Sequence, residues 1–304
     1  MAYERRDGNR NTDRRKERTA EAAKHIAEMD ARFGKEIARS LEEITVFEGM
    51  PTVAAEGCVP QVQVLDQDGA TAVLEQGRGI ANACDLAILD FASFVNPGGG
   101  YDRGAWAQEE ALCAESTLFN VLREQKAWYG QNRSRNLNCE LYRNRGLVVP
   151  KVRFERENYH SYADVIVVAA PNARRARENY HIKDDTLIAA MRDRIRFALA
   201  IADTLGHEKL ILGAYGCGVF GWDASVVAEL FREELASGKH VAKQVTFAVP
   251  HARFDENLPR FEHAFVNFPE KNDAAYVKPS EKPKVEVKVE EDDDEEEEDW
   301  RKYL

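Results

Sequence analysis

The stretch Ile88-Leu-Asp-Phe-Ala-Ser-Phe-Val-Asn-Pro-Gly-Gly-Gly100, followed by Tyr101-Asp-Arg-Gly-Ala-Trp-Ala107 and Gln108-Glu-Glu110, decides how this chain reads. Its apolar start predicts a strand over Ala87–Phe91 that runs into a loop capped by Gly98, Gly99 and Gly100. Gln108, Glu109 and Glu110 then open an amphipathic segment predicted to be helical from Glu109 to Leu122. Glycines allow close approach to a ligand and positive φ, and two carboxylates beside such a loop can do acid–base work. Taken alone, the two glutamates would be an ordinary acidic helix start.

A second glycine loop completes the argument. Leu210-Ile-Leu212 reads as a strand that opens into Gly213-Ala-Tyr-Gly-Cys-Gly-Val-Phe-Gly221, with a helix expected over Ser225–Leu235. Gly216, Cys217, Gly218, Val219, Phe220 and Gly221 form a GxGxxG, a pattern that can seat a pyrophosphate at a helix N-terminus. In a nicotinamide-binding domain that pattern follows the first strand and has an acidic ribose partner about 20 residues on. Here it falls near the end of the domain, which argues against an oxidoreductase. Two glycine loops, each leaving a strand, can clasp one extended ligand.

The spacing of Gly98–Gly100 and Gln108-Glu-Glu110, within Asp90-Phe-Ala-Ser through Gln108-Glu-Glu-Ala-Leu-Cys113, resembles the microbial branch of the poly(ADP-ribose) glycohydrolases. Gly213–Gly221 is similar to that family's diphosphate loop, although Trp222-Asp223 stands where the family often has Asn-Asp. The resemblance covers roughly Thr19 to Phe268. It implies a macrodomain-like α/β/α sandwich with a mixed central sheet, and cleavage of ribose–ribose bonds in poly(ADP-ribose) with release of ADP-ribose. It further implies that Glu110 is the general acid and then base, that Glu109 orients ribose hydroxyls, and that Gln108 supports the loop. Gly216–Gly221 would wrap the diphosphate. Asn96 is the implied ribose contact, with Ser93 as its competitor. Phe247 matches a phenylalanine backing that ribose, although core packing explains it equally. Removal of a single ADP-ribose from protein, or non-catalytic binding of ADP-ribose, are the rival readings; the intact glutamate pair speaks against the second.

Outward from this centre, strands and helices alternate, as a mixed α/β layer architecture requires. Residues 1–17 are polar and expected to fray. Ala22, Ala23, Ile26, Ala27 and Met29 form a helical stripe, which pauses at Gly34 before a second short helix through Ile37, Leu41 and Ile44. Residues 1–45 therefore read as a helical packing extension, 46–270 as the catalytic domain and 271–304 as a disordered acidic tail. Gln61–Leu65 alternates like a strand. Asp68 either caps the helix after it or, as the resemblance to ADP-ribose-binding macrodomains implies, contacts an adenine amino group. Arg123–Arg145, with Trp128, Tyr129 and Tyr142, reads as a surface insertion. Leu147–Arg156 resembles a strand pair bordering the family's site. Ala163–Ala170 is a buried strand, and Leu187–Leu205 an amphipathic helix ended by Gly206.

The chain has 304 residues, 44% of them hydrophobic, and a net charge of −11. Glu290–Asp299 is an unbroken acidic run, and setting its ten charges aside leaves −1 for the rest, so direct DNA binding is not expected. The tail could contact protein, through Trp300-Arg-Lys-Tyr-Leu304 if that ending is more than an incidental terminus. No apolar run reaches membrane-spanning length, and no secretory signal follows the N-terminal arginines. Cys58, Cys84, Cys113, Cys139 and Cys217 are scattered without a CxxC pair, as in a reduced, cytoplasmic protein. The seven histidines form no HxH or HxxxH cluster, so neither metal nor cofactor is expected.

Overall fold

The computed structural model describes residues 2–53, 56–252 and 255–278. Its strands are β1 (Thr45–Glu48), β2 (Gln61–Leu65), β3 (Leu86–Phe91), β4 (Arg145–Arg156), β5 (Tyr159–Val168), β6 (Lys209–Leu212) and β7 (Gln244–Ala248). They form one mixed sheet in the order β1-β4-β5-β3-β6-β7-β2. β5, β3, β6, β7 and β2 run parallel, and β4 is antiparallel to both β5 and β1. The helices are α1 (Ala2–Glu42), α2 (Gly69–Gln76), α3 (Gln108–Ala114), α4 (Leu118–Leu122), α5 (Lys126–Arg135), α6 (Ala173–Tyr180), α7 (Asp184–Leu205), α8 (Ala224–Ala236) and α9 (Asn257–Phe265).

The apolar run of β3 follows from its central place. Successive side chains point to opposite faces of a sheet. Ala87 and Leu89 enter a core with Leu199 of α7 and Phe231 of α8, while Leu86 and Ile88 enter another with Met29 of α1, Val73 of α2 and Leu112 of α3. A strand covered on both faces needs no polar alternation. The expected three-layer α/β/α sandwich is the architecture found. Asp68 caps α2, its Oδ1 accepting from Thr71 N at 2.8 Å. Gly206 ends α7 in the left-handed conformation.

Several local expectations are corrected. α1 is helical from Ala2, with no frayed lead, and it kinks at Phe33, where two helical stretches meet beside the expected pause at Gly34. It packs Ala22, Met29 and Ile37 against the β3 core. The helix expected over Glu109–Leu122 breaks at 115–117. Those residues pair with β4, Glu155 N donating to Glu115 O at 2.8 Å and Thr117 N to Arg153 O at 3.0 Å. Arg123–Arg145 is no surface insertion: it contains α5, and Trp128, Tyr129 and Tyr142 are buried. Leu147–Arg156 lies within the single strand β4, and the β4–β5 turn sits at the sheet edge opposite the end of β3 that carries the glycine loop.

The sequence from 271 to 278 is ordered against α9. Asn272 Nδ2 donates to His263 O at 2.8 Å, and the Tyr276 ring lies 4.8 Å from the Arg260 guanidinium carbon. Residues 279–304, with the acidic run and Trp300–Leu304, lie outside the described residues. The five cysteines are free thiols, and no described helix is long and apolar enough to cross a membrane.

A buried ion network ties α7, α8 and the approach to β7. His240 Nδ1 lies 2.8 Å from Asp203 Oδ2, and its Nε2 lies 3.6 Å from Glu234 Oε1. Burial alone would lower the imidazole, but the two carboxylates outweigh it and raise it to about 9. A histidine whose folded value exceeds its ordinary 6.5 stabilises fully below that pH and ceases to as pH rises through the folded value. The melting temperature of the protein should therefore fall between pH 6.5 and 9, by the loss of about 3 kcal/mol from this group. His240→Gln should flatten that part of the profile; identical slopes in a pH series of melts would assign the decline elsewhere.

Candidate active site

The two glycine loops leave the carboxyl ends of β3 and β6, neighbours in the sheet, which is where open α/β sheets bind ligands. Gln108, the first residue of α3, fixes the helix to the strand. Its Oε1 accepts from Phe91 N at 2.8 Å and its Nε2 donates to Leu89 O at 3.0 Å. The next two residues are thereby delivered against the glycine loop. Glu110 Oε1 accepts from Gly100 N at 2.8 Å, and Glu109 Oε2 accepts from Ser93 N at 2.6 Å. Both glutamates are buried.

Gly98 and Gly99 have φ of +59° and +63°. A Cβ on Gly98 would lie 2.5 Å from Phe119, and one on Gly99 would lie 2.4 Å from Glu110 Oε1 and 2.9 Å from Glu109 Oε2. These positions need glycine both for backbone and for room. Ser93 Oγ accepts from Asn96 N at 3.2 Å and so shapes the turn, while Asn96 Oδ1 accepts from Arg133 of α5 at 3.1 Å. Both residues that competed for the ribose are at the loop, and both have protein partners. Tyr101 closes the far side, its hydroxyl 3.0 Å from His25 Nδ1 of α1.

Asp90, on β3, completes an acidic cluster that the sequence reading did not include. It is fully buried, and neither carboxylate oxygen has a hydrogen-bond partner; Glu109 Oε1 is also unpartnered. Burial, and then the neighbouring Glu110, pushes Asp90 well above the usual carboxylate range. Burial, and then Asp90, does the same to Glu109. Carboxylates this close in a dry site cannot all ionise. The available signal was a lone acid inside an otherwise apolar strand.

In the second loop, Gly216 and Gly221 have φ of +77° and +75°, and a Cβ on Gly216 would lie 2.8 Å from Trp222. Trp222 is buried and donates from Nε1 to Pro171 O at 2.7 Å, so it closes the loop from beneath. Asp223 caps α8 through Ser225 N at 2.9 Å and Val226 N at 3.2 Å. Gly218 and Val219 are exposed, while Cys217 and Phe220 are half-buried. Gly218 has no positive φ and nothing within 4 Å of an added Cβ. Phe247 is not at the site: it is fully buried among Phe231, Phe261 and Phe265, at ring distances of 5.4, 5.3 and 4.5 Å. Its match to the family's ribose-backing residue yields to core packing. Among the described residues, the one Cys/His/Asp group with metal-ligand spacing lies away from this site.

The fold and these loops define a macrodomain-like protein with an acidic cluster at its ligand face. Residues 12–157 match the model of the microbial-type PARG catalytic domain. Among solved structures, it is similar to poly(ADP-ribose) glycohydrolase from Thermomonospora curvata, with 27% identity and a TM-score of 0.68 over 81% of this chain and 98% of that one. The same enzyme bound to the inhibitor ADP-HPD gives 27% identity and 0.66, over 81% and 97%. Poly(ADP-ribose) glycohydrolase from Deinococcus radiodurans in complex with ADP-ribose gives 29% identity and 0.62, over 74% and 95%. No curated protein matches the sequence.

Proposed function

We propose that the protein hydrolyses poly(ADP-ribose) at its ribose–ribose bonds and releases ADP-ribose. The observation that carries this reading is the Glu110 carboxylate, buried and anchored on the Gly100 N–H in a cluster with Glu109 and Asp90. Glycosidic cleavage passes through an oxocarbenium-like transition state and needs a proton on the leaving oxygen. Glu110 gives that proton to the departing 2′-oxygen and then takes one from the water that attacks the anomeric carbon. Glu109 orients the ribose hydroxyls, and Gln108 holds both acids in register with β3. Gly98–Gly100 and Asn96 border the ribose. Backbone N–H groups of Gly216–Gly221 cradle the diphosphate without Lys or Arg. The acidic tail contributes no residue to this scheme.

The test is to incubate the protein separately with synthetic polymer and with a mono-ADP-ribosylated protein. ADP-ribose released from polymer is the expected result. Release from the modified protein alone would make it a mono-ADP-ribosyl hydrolase, and binding without release a reader.

The diphosphate loop has its own probe. Because Gly218 has free space and no positive φ, Gly218→Val should leave the melting temperature unchanged. A β-branched side chain on this exposed backbone would still block close approach of a ligand. Calorimetry should show ADP-ribose affinity falling about a hundredfold, near 3 kcal/mol. Unchanged affinity would reduce the motif to a strand–helix turn.

A further inference from the structure

At the end of the sheet opposite the glycine loops, three segments bring together side chains with no part in the scheme above. Cys84 precedes β3, Asp164 lies in β5 and His207 precedes β6, and these are three neighbouring parallel strands. Their ligating atoms all lie within 4.8 Å of one another. Asp164 is the hub. Its Oδ2 is 2.9 Å from His207 Nε2, and its Oδ1 is 3.7 Å from Cys84 Sγ. Lys151, at the bulge in β4 with φ +53°, turns its N–H onto Asp164 Oδ1 at 2.8 Å and fixes the carboxylate. Asp164 is buried, whereas Cys84 and His207 remain partly open to solvent.

We infer that Cys84, Asp164 and His207 bind one zinc ion, with water in the fourth position. A thiolate, an imidazole and a carboxylate are a zinc donor set; magnesium and calcium take oxygen ligands and leave thiolates alone. Bonds of about 2.3 Å to sulfur and about 2.0 Å to nitrogen or oxygen place tetrahedral neighbours roughly 3.3–3.5 Å apart. Sulfur now faces Oδ1 and nitrogen faces Oδ2, so the Asp164 carboxylate takes the ion with the oxygen between them, and the sulfur and nitrogen, within 4.8 Å of each other, draw together as the shared hydrogens leave. Zinc displaces the Cys84 thiol proton to solvent, and the imidazole carries its remaining hydrogen on Nδ1. One dication against one thiolate and one carboxylate is neutral, which suits a partly buried place. Bound there, the ion staples the middle of β5 to the starts of β3 and β6 and leaves the ligand face untouched.

The full chain, reduced and freed of metal by chelation, should be titrated with zinc by calorimetry and with cobalt by absorption spectroscopy. One zinc per chain is expected, and cobalt should give a thiolate charge-transfer band. Zinc a hundredfold above its Kd should raise the melting temperature by about 5 °C. Cys84→Ser should abolish the band and, like His207→Gln, weaken zinc at least about a hundredfold, more than loss of an outer-shell partner does. ADP-ribose affinity should be the same with and without zinc. Absence of stoichiometric zinc would overturn the assignment. So would unchanged zinc affinity in both variants, which would leave the three residues as a hydrogen-bonded cluster.

Discussion

Glu110→Gln should lower polymer turnover by about a thousandfold or more while ADP-ribose binding stays within about tenfold. Glu110 Oε1 accepts from Gly100 N at 2.8 Å, and a glutamine can present its carbonyl oxygen to the same N–H. Loop and shape therefore survive. What is lost is the proton that the departing oxygen needs and the base that the attacking water needs. A helix start favours ionised acids, but burial acts against ionisation here: Asp90 and Glu109 are held well above the usual range, by burial first and by their acidic neighbours second. Since raised carboxyls keep their protons to higher pH, a rate that depends on a proton held by Asp90 or Glu109 should fall as pH rises past their titration. Steady-state rates with polymer, paired with ADP-ribose calorimetry, check both halves. Near-normal turnover in the variant would remove Glu110 from the chemistry.

Gly99→Ala should cost about a hundredfold in kcat, since displacing catalytic groups by about 1 Å is worth that much. The new Cβ would stand 2.4 Å from Glu110 Oε1 and 2.9 Å from Glu109 Oε2, so both carboxylates must move. Alanine at φ +63° adds about 1–2 kcal/mol of backbone strain, enough to lower the melting temperature by about 4 °C. Gly130→Ala is the control: in α5 with nothing within 4 Å of the added atom, it should leave the rate unchanged and stabilise the fold by about 1 kcal/mol. Unchanged kcat in Gly99→Ala would mean the loop can yield without disturbing the acids.

The parts of this protein that were legible in its sequence are those whose local chemistry and tertiary role agree. β3 is apolar because both of its faces are covered, Asp68 caps because α2 begins there, and Gly206 ends α7 because only a left-handed residue fits. The glycine loops and the glutamate pair, read together in the sequence, stand at the ends of the neighbouring strands β3 and β6. Other features depend on contacts far away in the chain. The break at 115–117 exists because Arg153 and Glu155 of β4 offer backbone partners there. The polar segment around α5 is held inside by Asn132, which donates to Phe94 O at 2.9 Å and accepts from Arg145 Nε at 2.6 Å. α1 packs Ala22, Ile26, Met29, Phe33, Ile37 and Leu41 on the core, the stripe legible in the sequence, whereas its polar start carries no such stripe. Asp90 looked like one polar residue in a strand until the fold placed it beside Glu109 and Glu110. Phe247 shows the opposite error: an aromatic on a site-bearing strand faced the layer behind the sheet.

The side-chain amide of Gln108 spans Leu89 O and Phe91 N as a residue of an adjoining parallel strand would. The two acids behind it are thus indexed to the sheet itself, not to the Tyr101–Ala107 spacer that joins them to the glycines. That separates two jobs along one short piece of chain. The spacer is pinned at Tyr101 and Gly104 but can vary at exposed Asp102, Trp106 and Ala107, and so reshape the rim of the ligand face, while the acids stay in register. A glutamate at 108 would break the index, because it cannot donate to Leu89 O. In this architecture substrate preference can evolve in the spacer, and the chemistry is conserved by a single carboxamide.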